Sequence, residues 1–180
     1  MEKCSALWNA SSRPHSADKI YQIVESSLKT PCATRCNSLY DSIKGLLDKR
    51  NVLSQIMTKL HLPCFRDVDL EFLDEHQQIL APIAVALDRL HSEHHCYYAD
   101  LIPTLHAVNN QLKSLQLMNF RHCSALLRAV CAGFNRRFAN FLNLTPDVNI
   151  ALLASMTHPY FKIRWLPATL SGEHERLAVM

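Results

Sequence analysis

The stretch SLYDSIKGLLDKRNVLSQIMTKLHLP, residues 38–63, decides the fold class. Leu39, Ile43, Leu46, Leu47, Leu53, Ile56 and Leu60 line one side of a predicted helix, which Pro63 stops because proline lacks the amide hydrogen a helix interior needs. An apolar stripe of this kind must bury against another. Further stripes follow on both sides. Ala17, Ile20, Tyr21, Val24 and Leu28 form a short one that ends before Pro31. Leu70, Leu73, Leu80, Ile83, Leu87 and Leu90 form a long one, interrupted by Gln77. Asp67, Asp69 and Glu71 lie near its start, where carboxylates suit the positive end of the helix dipole. Pro82, inside this pattern, predicts a kink near residues 78–82.

A third stripe runs Tyr98, Leu101, Leu105, Val108, Leu112 and Leu115, with Pro103 in the first turn. The fourth is Cys123, Leu127, Val130, Phe134, Phe138 and Phe141. Thr145-Pro146-Asp147 then reads as a helix start, with Thr145 as N-cap, and opens a short helix to about Met156. The expected fold is mostly α, an antiparallel helical bundle. Broken heptads and internal prolines fit a compact bundle better than a coiled coil. Only three glycines occur and no Asn-Gly or Asp-Gly pair, so the turns that β-hairpins favour are missing.

A length of 180 residues, 48% hydrophobic and 19% charged, suits a globular chain with a real core. The net charge of +3 is unevenly spread. Residues 66–100 hold eight acids against Arg66 and Arg89, whereas residues 101–140 hold Lys113, Arg121, Arg128, Arg136 and Arg137 with no acid. Such segments attract each other within the bundle, or simply mark a solvated face, as charge runs usually do, or leave the basic one facing nucleic acid phosphates. Seven cysteines, an odd and widely spaced set without a signal peptide, read as reduced thiols. That places the expected location in the nucleus or cytoplasm, not outside the cell. The longest apolar run, Ile79–Leu87, contains Pro82 and is too short to span a bilayer, so no membrane partner is expected.

Two motifs carry the functional signal: TRCNSLYDSI, Thr34–Ile43, and HPYFKIRWL, His158–Leu166. They resemble the TRWNS-type and HPxFKxRWL-type motifs of the hAT-superfamily transposases, and CSALWNASSRP, Cys4–Pro14, is similar to a stretch often seen ahead of the first. The resemblance runs from about Lys3 to Leu166. It departs at Cys36, where the family has Trp, and mildly at Tyr160. It implies the helical insertion of a transposase with flanking scraps of an RNase H-like core: residues 1–33 as a leading segment with a short helix, 34–157 as the insertion-type bundle, and 158–180 as the second motif and a frayed tail from Ser171 to Met180. In the family the Arg-Trp pair lies near the active site and the ring is implicated in stacking on an unpaired base. Cys36 cannot supply that contact. The plainer reading of Arg35-Cys36-Asn37-Ser38 is a helix cap, with Asn37 or Ser38 capping, and a packed small side chain. HPYFKIRWL, with alternating Phe161, Ile163 and Trp165, reads first as core packing.

No hydrolase, metalloprotease or P-loop motif occurs. Two-metal phosphoryl transfer needs convergent carboxylates, and the three that the resemblance implies fall outside this chain: two before it, one after. No catalytic residue is therefore carried over, no enzyme activity is expected, and no cofactor, since the divalent metal of family enzymes would lack its ligands. His91, His94, His95 and Cys96, with His122 and Cys123, invite a zinc reading, but no second CxxC or HxxxH unit lies at finger-like spacing. We read them as solvated histidines at a helix end.

The expected function is a non-catalytic transposase-derived fragment with weak, sequence-independent DNA binding. Candidate contacts are Arg35, Asn37, Arg128, Arg136, Arg137, Lys162 and Arg164. Expected partners are DNA and other transposase-like proteins, with no small-molecule substrate. Two alternatives stay open: a helical protein-interaction module using the acidic face at residues 67–75, and a remnant without function.

Overall fold

The computed structural model describes residues 1–91 and 97–166, which form two compact units. The expected frayed tail from Ser171 to Met180 lies outside the described residues. One unit comprises Met1–Ala84 with Phe120–Ser124, the other Val85–Asn119 with Ala125–Met180. Among the described residues the chain is mostly helical and has no strand.

The first unit contains α1 (Glu2–Ser11), α2 (Pro14–Val24), α3 (Ser38–Leu47), α4 (Arg50–Lys59) and the first part of α5 (Asp67–Leu90). The single helix expected after Ser38 is two. At Lys49, φ −104° and ψ 17° leave the helical region. Asp48-Lys49-Arg50-Asn51 is a polar tetrad with no side chain to bury, so packing does not hold the axis straight there. Both halves still turn the expected stripe inward. Ile43, Leu46, Leu53 and Ile56 join Cys4, Leu7, Trp8, Ile20, Leu70 and Leu73 in one core. The sequence reading placed no helix before residue 17. α1 forms because Cys4, Leu7 and Trp8, at three- and four-residue spacing, bury together.

The long helix α5 has Pro82 inside it, and its acids Asp67 and Asp69 open the first turn as expected. Its inner face differs from the expected one beyond Leu73. Ile79, Pro82 and Ala84 are buried, while Leu80, Ile83, Leu87 and Leu90 are only half-buried. Two apolar residues stand side by side at 79–80, 82–83 and 86–87, so spacing alone does not choose between adjacent faces.

The second unit contains the rest of α5, a 3-10 turn at Tyr98–Asp100, α6 (Leu101–Gln116), nearly all of α7 (Ser124–Arg137), α8 (Ala139–Leu142), a 3-10 turn at Pro146–Val148 and α9 (Asn149–Thr157). Ile102, Leu144, Val148, Ala151 and Leu152 form its core, with Phe141, Met156, Trp165 and Leu166 packed on it. Thr145 does stand at the N-cap with Pro146 after it, but its hydroxyl makes no capping bond and is buried without a partner. The fixed φ of Pro146, not the Thr145 side chain, sets this start. The alternating apolar residues of HPYFKIRWL lie in consecutive turns.

Ile56, fully buried in the first core, should be costly to truncate. Ile56→Ala is expected to lower unfolding stability by about 2–5 kcal/mol in urea titration. Ile150→Ala, at a residue 78% exposed on α9, should stay within about 0.5 kcal/mol of the parent.

Candidate nucleic-acid interface

The described residues of the first unit are nearly balanced in charge, whereas those of the second carry Arg89, Lys113, Arg128, Arg136, Arg137, Lys162 and Arg164 against only Asp88, Asp100 and Asp147. Arg89 is paired with Asp100. The other six cations are exposed, and none forms an ion pair among the described residues. On α7, Arg128 and Arg136 share the solvent face with Ala125, Ala132 and Asn135, while Arg137 sits at the helix end. Cations in the last turn suit the negative end of the dipole.

The turn after α9 supplies Lys162 and Arg164 and is held from several sides. Asp100, 5% exposed, accepts hydrogen bonds from Arg89 Nη2 at 2.8 Å and from the Tyr97 amide at 2.9 Å. Arg89 in turn lies over the ring of Phe161, 5.4 Å from its centroid. Phe161 is buried and meets the rings of His158 at 5.1 Å and Tyr160 at 5.0 Å. Trp165 Nε1 donates to the Lys162 carbonyl at 2.9 Å, and its ring lies 5.2 Å from that of His106. Buried His106 faces the Phe141 carbonyl through Nε2 at 3.3 Å. Burial pushes its pKa down, so it is neutral and donates that bond. Core packing is therefore what Phe161 and Trp165 do. Ile163, by contrast, is exposed.

The residues of TRCNS lie in the first unit. Arg35 and Cys36 are exposed. Asn37 stands at the N-cap of α3 without capping it. Its side-chain amide instead donates to the Ala84 carbonyl at 2.9 Å. Ser38 makes no cap either. Its hydroxyl lies 2.6 Å from the Cys32 carbonyl and 2.8 Å from the Arg35 carbonyl, and accepts the Cys32 amide at 3.0 Å. These bonds fold the loop back onto the start of α3, which is a structural task. The structure thus brings Lys162 with Arg164 and Arg128 with Arg136, each pair on one element, and keeps Arg35 and Asn37 in the other unit.

Four of the five acids of residues 67–75 are engaged within their own unit, Asp67 being exposed. Asp69 pairs with Lys3 at 2.5 Å and accepts the Arg66 amide at 2.9 Å. The Lys3 ammonium and that amide hold its carboxyl well below the usual range. Asp74 faces Arg50 at 3.5 Å and Glu71 faces His122 at 3.4 Å. Glu75 accepts the backbone amides of Arg121, His122 and Cys123, each at 2.8 Å. Three successive amides aimed at one carboxylate form an anion-binding concavity, here filled by the chain itself.

A cleft of about 460 Å³ lies beside Lys3, Phe65, Asp69, Phe72 and His122, and Lys3, Asp69 and His122 already serve the pairs above. Burial raises the thiols of Cys4, Cys123 and Cys131 and keeps them protonated, unsuited to nucleophilic attack. Among the described residues no group of three His, Cys, Asp or Glu is placed to hold a metal ion. Of the histidine cluster weighed for zinc, His94, His95 and Cys96 lie outside the described residues. No helix among those described is long and apolar enough to cross a membrane. Sequence reasoning missed Tyr97, Arg89 and Asp100 as parts of the second motif's surroundings. Only the acid-poor run after residue 100 hinted that Asp100 stood at a boundary.

No protein-family model, curated protein or solved structure matches the chain.

Glu75 has a pH signature. Burial, the largest single influence, raises its pKa, but the three amides together outweigh it and the net value falls below 4.5. A depressed folded pKa contributes stability above the unfolded value and loses it as pH falls through the folded one. Glu75→Ala should therefore cost about 1–2 kcal/mol at pH 7, by analogy with loss of a helix cap. In urea titrations the gap to the parent should shrink below pH 4.5. A gap constant with pH would show that the amides are not what holds this carboxylate charged.

Proposed function

We propose that this chain is a non-catalytic, transposase-derived protein whose second unit binds nucleic acid through phosphate contacts. The observation that carries the reading is the set of six exposed cations of that unit without an ion pair among the described residues. A polyanion with closely spaced phosphates would neutralise them and release its condensed counterions. Such contacts carry no sequence information, so the binding is sequence-independent. The resemblance of TRCNSLYDSI and HPYFKIRWL to hAT motifs supplies the ancestry, and with it DNA as the polyanion. Four of the five carboxylates of residues 67–75, Asp69, Glu71, Asp74 and Glu75, are taken up by internal partners, which weighs against metal-assisted phosphoryl transfer there.

A second reading, a protein-interaction module, is favoured by a different feature. On α9, Ile150 and Leu153 are 78% and 64% exposed at i, i+3 spacing. The acidic face at residues 67–75 is less suited to it, because four of its five acids already have partners.

The test is fluorescence anisotropy with a labelled oligonucleotide across 50–300 mM salt. Each phosphate neutralised contributes about −0.7 to −0.9 to the slope of log affinity against log salt. The parent is expected to give a slope of about −3 or steeper. R128A/R136A/R137A should flatten it by about 2 and weaken binding for every sequence tried. A flat salt response, or no binding at the lowest salt, contradicts the reading and leaves the interaction module ahead.

A further inference from the structure

The turn that carries Lys162 and Arg164 also carries the exposed ring of Tyr160, and the exposed ring of Tyr97 packs on its His158; duplex DNA has no use for them. Tyr160 is 70% exposed and Tyr97 57%. Both are tethered from beneath. Tyr160 stands edge-on to Phe161, with ring centroids 5.0 Å apart at 88°. Phe161 meets His158 at 5.1 Å, and His158 meets Tyr97 at 5.7 Å. The four rings form one chain whose buried member, Phe161, is covered by the Arg89 guanidinium. The exposed tyrosines at its two ends are thus held in place, so a ligand stacking on them has little side-chain freedom left to remove.

The backbone adds a second observation. Lys162 has a φ of 48°, in the left-handed region that non-glycine residues seldom occupy. Its amide donates to the His158 carbonyl at 3.1 Å, and its own carbonyl accepts Trp165 Nε1. Surroundings that hold an unfavourable backbone state in this way are commonest at ligand-binding sites. Here the state places Lys162, exposed, two residues from Tyr160.

We infer that the Tyr97–His158–Phe161–Tyr160 cluster with Lys162 and Arg164 is a stacking platform for single-stranded nucleic acid. A cationic track for the backbone with aromatic faces for the bases is the general design of single-strand binding, and every base has a face to stack. In a duplex those faces are already stacked on each other, so the rings select unpaired strands. The inference rests on the reading that the second unit binds nucleic acid, and narrows its partner to unpaired segments.

The experiment compares a labelled 20-mer as single strand and as blunt duplex, at one salt concentration, for the full chain and for Tyr160→Ala and Tyr160→Phe. Loss of one base–aromatic stack should weaken single-strand binding about tenfold in Tyr160→Ala. Duplex binding should be unchanged, and Tyr160→Phe, which keeps the ring face, should bind as the parent does. Tyr160 is exposed, so the variants are expected to fold, and matching thermal melts would show it. If Tyr160→Ala weakens both forms equally, or neither, the platform is overturned while phosphate binding stands. If the tyrosine change instead abolishes a dimer seen by sedimentation, the surface belongs to a second copy and the inference fails. Absence of binding to either form sinks both this inference and the reading beneath it.

Discussion

The carboxylate of Asp100 is the constraint around which the second unit is arranged. It is nearly sealed from solvent, yet both oxygens are served, one by the Arg89 guanidinium and the other by the Tyr97 amide. A buried charge is tolerated only when paired and hydrogen-bonded in this way. The pairing ties the end of α5 to the 3-10 turn before α6. It also fixes the plane of the Arg89 guanidinium, which then rests on Phe161. Ser155 of α9 reaches the same turn, its hydroxyl lying 2.9 Å from the carbonyls of both Ala99 and Ala151. One acid thereby governs where three elements and the following motif come to lie. Arg89 is half-exposed, so the pair's energy is modest. Its weight is in the geometry it specifies.

A different economy rules the first unit. Four of its acids are spent internally: Asp69 on Lys3 and Arg66, Asp74 on Arg50, Glu71 on His122, and Glu75 on three backbone amides. The opposed acidic and basic segments do meet at one point, where Arg121 Nη1 lies 3.9 Å from Glu71 Oε2. The remaining cations of the basic run, from Lys113 to Arg137, find no such carboxylate among the described residues. Exposed, unpaired cations gather where an external anion can reach them.

Helix identity was legible because the apolar stripes obey helical spacing: Ile43, Leu46, Leu53 and Ile56 are all buried where the pattern puts them. The break at residues 48–49 was not legible, since Leu46 and Leu53 are seven apart and would share a face with or without it. Along α5 paired apolar residues left two faces open, and tertiary packing chose. Of the site, the cations were countable in the sequence, but their lack of partners is a property of the fold. Tyr160 stood out only as a departure from a motif. Tyr97, sixty-one positions before His158, could not be joined to it by any local pattern. Asn37 and Ser38 were read as caps from residue type, and both found longer-range or loop partners instead.

Hydrogen exchange of the full chain with and without a short single-stranded oligonucleotide tests the central claim, that the second unit is the binding surface. The account predicts slowed exchange confined to α7 and residues 158–166, with α1 to α4 unchanged. Protection centred on residues 32–38, around Arg35 and Cys36, would contradict it and return the binding role to the first unit.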